Sequence, residues 1–203
     1  MTIKDFGAQV VSVWEGLRPV TKQMLVGAMQ VANLTSPKPK FSYDAQSDWE
    51  LSRLLFALDE QTTEADVKKD VTKLREIKSL AETCATVLEV QTESAEVFIQ
   101  LTERALDKKD YRKIDQLTDI LLRRFSVGEM CEIVRQTDNP AIRALGYETL
   151  ALMPIPRLLP LLEDPIYEEI VRNVLEQQAF EYDNEQARQV LEQLDYEDEI
   201  TGD

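Results

Sequence analysis

Apolar residues recur along this chain at three- and four-residue steps from one end to the other, with polar residues between them. Phe6, Val10, Val13, Trp14 and Leu17 share one face of a first amphipathic helix. Arg18-Pro19 ends it, because the residue before a proline is pushed out of the helical region. Val20, Met24, Ala28 and Val31 line a second helix, so residues 1–34 read as a helical hairpin whose Gly7, Gly16, Gly27 and Ala28 would let another helix come close. Two prolines in three residues make 35–40 an extended linker, beyond which Phe41 and Tyr43 are expected to anchor on the body. Leu51, Leu54, Leu55 and Leu58 mark a short helix opened by Trp49, with Ser47 or Asp48 as its cap. After a polar break at Gln61-Thr62, no Gly or Pro occurs from Thr63 to Gln91, and Val67, Val71, Leu74, Ala81, Cys84 and Leu88 predict one uninterrupted helix of about eight turns. Thr92 or Ser94 starts a helix carrying Phe98, Leu101 and Ala105. Asp110 starts the next, with Ile114, Leu117, Leu121 and Phe125 facing inward.

The most structured pattern is 126–181. Ser126 and Glu129 have the spacing of a capping box, in which a hydroxyl takes a free helix-start amide and the Glu reaches back to the cap. Val127, Met130, Cys131 and Val134 follow as a stripe. Asp138-Asn139-Pro140 stops that helix and starts another, since Asn is a good cap and Pro fits the first helical position, where its missing N–H would be unpaired anyway. Ile142, Leu145, Gly146, Leu150 and Met153 form the second stripe, and a mid-helix Gly146 predicts a close helix crossing. Next comes a segment with Ile155, Leu158, Leu159 and Leu162 on one face, which Pro160 should bend or tighten. Asp164-Pro165 repeats the cap-then-Pro start before Tyr167, Ile170, Val171, Val174 and Leu175. Asn184 caps a last helix with Ala187, Val190, Leu191 and Leu194, and the acidic run 195–203 is expected to be a disordered tail.

Over these residues the chain resembles the HEAT-type α-α repeat family. The resemblance rests on Asp138-Asn139-Pro140-Ala141-Ile142-Arg143 with the apolar helix to Met153, and on Leu158 to Pro165 with Val171-Arg172. It covers about a quarter of the chain. The second unit departs from a regular spacing, since Arg143 and Arg172 are 29 apart and Asp138 and Asp164 are 26 apart. The resemblance implies stacked helical hairpins offering an extended binding surface, and it carries no active site. In such repeats the Asp and Arg bridge neighbouring turns, so Asp138, Arg143 and Arg172 are read as structural. The expected fold class is all-α, an irregular helical-hairpin array (an α-α superhelix, HEAT-like) of about ten helices, with 41–194 as the main helical domain.

Composition agrees with this. The 203 residues are 43% hydrophobic and 30% charged with six Gly and eight Pro, which suits long helices around a real core. Charge changes the picture more. The net charge is −15, while residues 1–43 hold five bases and two acids, so an acidic body follows a mildly basic arm. Such a body argues against a general nucleic-acid binder, which needs clustered Lys and Arg. The basic window formed by Lys108, Lys109, Arg112, Lys113, Arg123 and Arg124 is interspersed with Asp107, Asp110, Asp115 and Asp119. Cys84 and Cys131 fall on apolar stripes and read as free buried thiols, whose mild corollary is a reducing compartment. No signal-peptide pattern and no 18-residue apolar run appears, so no membrane association is expected, a cytoplasmic location is, and the Asn33-Leu34-Thr35 sequon carries no weight.

Histidine is absent altogether, removing the commonest general base near neutral pH and the commonest ligand of zinc and non-haem iron. The glycines are scattered singly, with no phosphate-cradling loop. Glu129-Glu132 and Glu168-Glu169 are carboxylate pairs of the kind general acid–base chemistry uses, but 38 acids place such pairs side by side without selection. No catalytic, cofactor-binding or metal residue is assigned. Ser126, Glu129, Asp138, Pro140, Arg143, Pro160, Asp164, Pro165 and Arg172 are read as caps and repeat markers. The expected function is a non-enzymatic interaction module whose C-terminal hairpins bind a protein partner, basic or amphipathic. The alternative is a homodimer built through the 1–34 hairpin and the 63–91 helix. A small-ligand binder and a nucleic-acid mimic are the remaining readings of the charge.

Overall fold

A computed structural model of the chain describes residues 3–31 and 43–201. The fold is all-α: among the described residues there are twelve α-helices and no strand. They fall into two compact units, Met1–Val97 and Phe98–Asp203. The division lies inside a helix. The expected 35–40 linker, Asn33 and Phe41 are outside the described residues.

In the first unit, α1 (Ala8–Gly16) and α2 (Pro19–Val31) form the hairpin expected from the pattern, turning at Leu17-Arg18. The hairpin packs on its own chain, α1 against α3 (Ala45–Thr63) and α2 against α3 and α5 (Val71–Gln91). Val10, Leu17 and Leu25 are buried in this packing. The predicted single helix over 63–91 is a different object. α3 runs on through Gln61-Thr62 to Thr63, a short α4 (Ala65–Lys69) follows, and α5 starts at Val71. Asp70 makes the break: its carboxylate accepts the Lys73 N–H at 3.0 Å, so a residue that passes as solvated surface in the sequence acts as an N-cap. The core is a Leu-rich seam of Leu51, Leu54, Leu55 and Leu58 against Ile77, Leu80, Cys84 and Leu88, all buried. The Cys84 thiol donates to the Leu51 carbonyl at 3.2 Å.

The division falls in α6 (Ala95–Asp107), between Val97 and Phe98. The second unit continues with α7 (Tyr111–Arg124), α8 (Val127–Gln136), α9 (Pro140–Ala151), α10 (Ile155–Leu158), α11 (Glu168–Phe180) and α12 (Glu185–Thr201). Phe98 and Phe125 meet edge to face, ring centroids 5.6 Å apart. α8 and α9 form a hairpin, α9 and α8 both touch α11, and α11 packs on α12. Four caps fall where the sequence puts them: Asp110 on Lys113 N–H, Ser126 on Glu129 N–H at 3.1 Å, Asn139 on Ala141 N–H with Pro140 at the first helical position, and Asn184 on Gln186 N–H; α3 departs from the expected Ser47 or Asp48 cap, since Asp44 caps it by accepting the Ser47 N–H at 2.8 Å. A Cβ placed on Gly146 would lie 2.6 Å from Val134 Cγ2, which is the close α8–α9 crossing expected there. Pro160 tightens the chain into a 3-10 turn over Leu159–Leu161.

Two expectations in this unit need correction. Asp164-Pro165 does not start a helix at once: the Asp164 side chain closes a turn on Ile166 N–H at 2.9 Å, and α11 begins at Glu168 with no side-chain cap. The acidic stretch after Asp195, expected as disordered, continues α12 as far as Thr201, since no Gly or Pro occurs between Glu185 and Thr201 to stop it.

Candidate functional site

Arg143 and Arg172 each make contacts to neighbouring segments of their own unit. Arg143 does not bridge to Asp138, which is exposed; its guanidinium donates to the Thr137 carbonyl at 2.7 Å and ties α9 to the end of α8. Arg172 pairs with Asp195 at 3.1 Å and Glu168 at 3.7 Å, linking α11 to α12. Of the carboxylate pairs, Glu132 is wholly engaged. It takes a two-pronged contact from Arg135, a bond from the Gln136 amide, and the Tyr167 hydroxyl at 2.6 Å. The Arg135 contact, aided by Tyr167 and Gln136 against partial burial, lowers the Glu132 carboxyl from an ordinary 4.5 to about 2, and raises Tyr167 in turn to about 12. Cys131 is pushed up to about 12 by burial, so it stays an inert thiol.

A second engaged carboxylate lies in the first unit. Glu50, only 2% exposed, accepts the Arg18 backbone N–H at 3.1 Å, the Arg18 Nε and the Thr21 hydroxyl. The two Nη groups of Arg18 grip Asp44 at 2.9 and 2.7 Å. Burial pushes the Glu50 carboxyl up, but these donors outweigh it and hold the group below its ordinary value. The cluster locks the α1–α2 corner onto α3. It has a sequence signal that went unused, for Ser47 and Glu50 sit in the same stripe as Leu51, Leu54, Leu55 and Leu58.

An open surface groove of about 590 Å3 lies between α9 and α11. Tyr147 and Ala144 come from α9, Phe180 from the end of α11, and Glu148, Glu176 and Glu181 supply the charge. Phe180 is 74% exposed. Gln177 Nε2 holds two of the carboxylates from below, at 3.1 Å from Glu148 and 3.2 Å from Glu181, and the Tyr182 hydroxyl donates to the other Glu148 oxygen at 3.0 Å. Behind the groove, Gln178 is buried and its amide donates to the Ala151 and Met153 carbonyls at 2.9 and 2.8 Å, fixing the spacing of the two helices.

No family model, curated protein or solved structure matches the chain. The groove's character therefore rests on its own chemistry. From Asn139 to the end there are 15 Asp and Glu against four Arg and no Lys, whereas 98–138 has eight of each sign. Three of the four arginines are held by groups of their own chain, and Arg157 lies 3.9 Å from the Met153 sulfur. The groove acids thus face solvent without a basic side chain among their lining residues. Among the described residues, no group of three or more Cys, Asp or Glu side chains is arranged to hold a metal ion, and no helix is long and apolar enough to cross a membrane.

Proposed function

We propose that the chain is a HEAT-like, cytoplasmic protein-interaction module rather than an enzyme, and that its α9–α11 groove receives a basic, amphipathic helix of a protein partner. The observation that carries the reading is one groove combining an aromatic ring 74% exposed with a rim of three carboxylates. An exposed Phe beside Tyr147 offers the apolar anchor that a helix-in-groove contact uses, and the acids steer and orient a cationic face. The walls are helices whose backbone groups bond internally, which suits a ligand that also satisfies its own backbone.

A labelled 18-residue amphipathic helix, with Leu on one face and Lys and Arg on the other, tests this by fluorescence anisotropy. The expected result is saturable binding that weakens steeply with salt and is lost in Phe180→Ala/Glu148→Lys. Equal binding by the wild type and that variant, or no binding at low salt, would refute the reading.

A further inference from the structure

The α9–α11 groove has a direction. Its two walls run the same way: Gln177 reaches Glu148 at 3.1 Å, and Gln178, the next residue of α11, reaches the Ala151 and Met153 carbonyls where α9 ends. Both C-termini therefore lie at one end of the groove, and the carbonyls of each last turn give that end a partial negative charge. The lining side chains change along the same axis. Ala144 and Asn173, the first lining residue of each wall, are neutral, whereas Glu148 comes from the second half of α9, and Glu176 and Glu181 from the second half and end of α11.

The groups that hold Glu148 and Glu181 are the Gln177 amide and the Tyr182 hydroxyl, both neutral, so the contacts that orient these acids add no positive charge to them. Arg188, just beyond α11, is taken up by Asp183 and Glu185. In the first halves of the walls, Arg143 and Arg172 stand with Glu168 and Glu169, two charges of each sign. Tyr147 and Phe180 belong to the second halves as well. The negative field and the apolar anchor thus share one end of the groove.

We infer that the partner helix lies antiparallel to α9 and α11, with its basic residues and its largest apolar residue in its N-terminal half. The inference rests on the groove reading proposed above and adds to it a direction and a sequence pattern. Three effects agree on that direction. The partner's free N–H groups make its N-terminus the positive end of its own dipole, which complements the carbonyl ends of α9 and α11. Lys and Arg in the same half meet Glu148, Glu176 and Glu181. The large apolar residue meets Tyr147 and Phe180. Reversal would set the partner's own last carbonyls against the acids and against two other negative helix ends. A helix ordinarily gains by carrying its basic residues near its C-terminus. This groove calls for the opposite arrangement, which sets its partner apart from a generic basic amphipathic helix.

The test compares two 18-residue amphipathic peptides of identical composition on the full chain, one with its Lys and Arg in the first half and one with them in the second, both stapled to equal helicity by circular dichroism. The first should bind at least about threefold tighter by fluorescence anisotropy, the size of one helix-end interaction. Each peptide is about 27 Å long, so nitroxides at its two ends broaden different amides. On the tighter peptide, an N-terminal nitroxide should broaden residues 147–148 and 176–182, and a C-terminal one residues 140–144 and 168–173. Replacing Glu148, Glu176 and Glu181 together by Gln should bring the two affinities level. Equal or reversed affinities in the wild type, reversed or indifferent broadening, or a preference that survives the triple replacement would overturn the direction while leaving the groove reading in place. Binding by neither peptide would refute the groove reading and the direction with it.

Discussion

At the α1–α2 corner, Glu50 is buried among donors from Arg18 and Thr21, and Asp44 beside it is gripped by the same arginine. Along the α9–α11 groove, Glu148, Glu176 and Glu181 stand exposed beside an exposed Phe180. The same residue type serves opposite ends. One carboxylate is desolvated and fully paired, so its value is positional: it fixes where a helix corner sits. The others keep their hydration and their field, so their value is in what they attract. Burial with pairing separates a structural acid from an available one, and in a chain with 38 acids that criterion sorts them where sequence spacing does not.

Removing Glu50 breaks this comparison most severely. Glu50→Ala strips the partner from Arg18 and Thr21 and should destabilise the fold by about 3 kcal/mol in urea denaturation, as loss of one member of a buried pair does. Gly146→Val comes next, at about 2 kcal/mol by the same measurement, because its added carbons meet the stiff Val134 side chain at the α8–α9 crossing. Acid titration gives a smaller effect with a definite sign. Glu132 has a folded value of about 2 against an ordinary 4.5, so its contribution is fully present above about 4.5 and is lost as pH falls toward 2. Glu132→Gln should flatten the loss of stability in that window. Smallest of all, Glu148→Gln and Glu176→Gln together should leave the urea midpoint where it is. A large drop there would mean that the groove acids are structural like Glu50, and the comparison would fail.

How much of this is legible in the sequence differs between the two regions. The caps at Asp110, Ser126 and Asn139 and the tightening at Pro160 could be read from a few adjacent residues, because each is a local interaction; the crossing at Gly146 joins two helices and shows in the sequence only as a glycine in mid-helix. Asp70 escaped because one acid in a charged run looks like any other until its carboxylate is seen on the Lys73 N–H. The Glu50 cluster joins residues up to 32 apart, and the α9–α11 groove depends on which helices become neighbours, which periodicity does not encode. Both nevertheless leave a trace as a residue on the wrong face: Glu50 within a leucine stripe, and Phe180 beside, not within, the stripe Val171, Val174, Leu175 and Gln178.

The most direct test of the account is backbone amide chemical-shift mapping of the full chain titrated with the basic amphipathic helix. The account predicts shifts concentrated at 144–148 and 173–182, with the amides of Arg18, Thr21 and Glu50 unmoved. Shifts that avoid the groove, or that centre on the Glu50 corner, would contradict it.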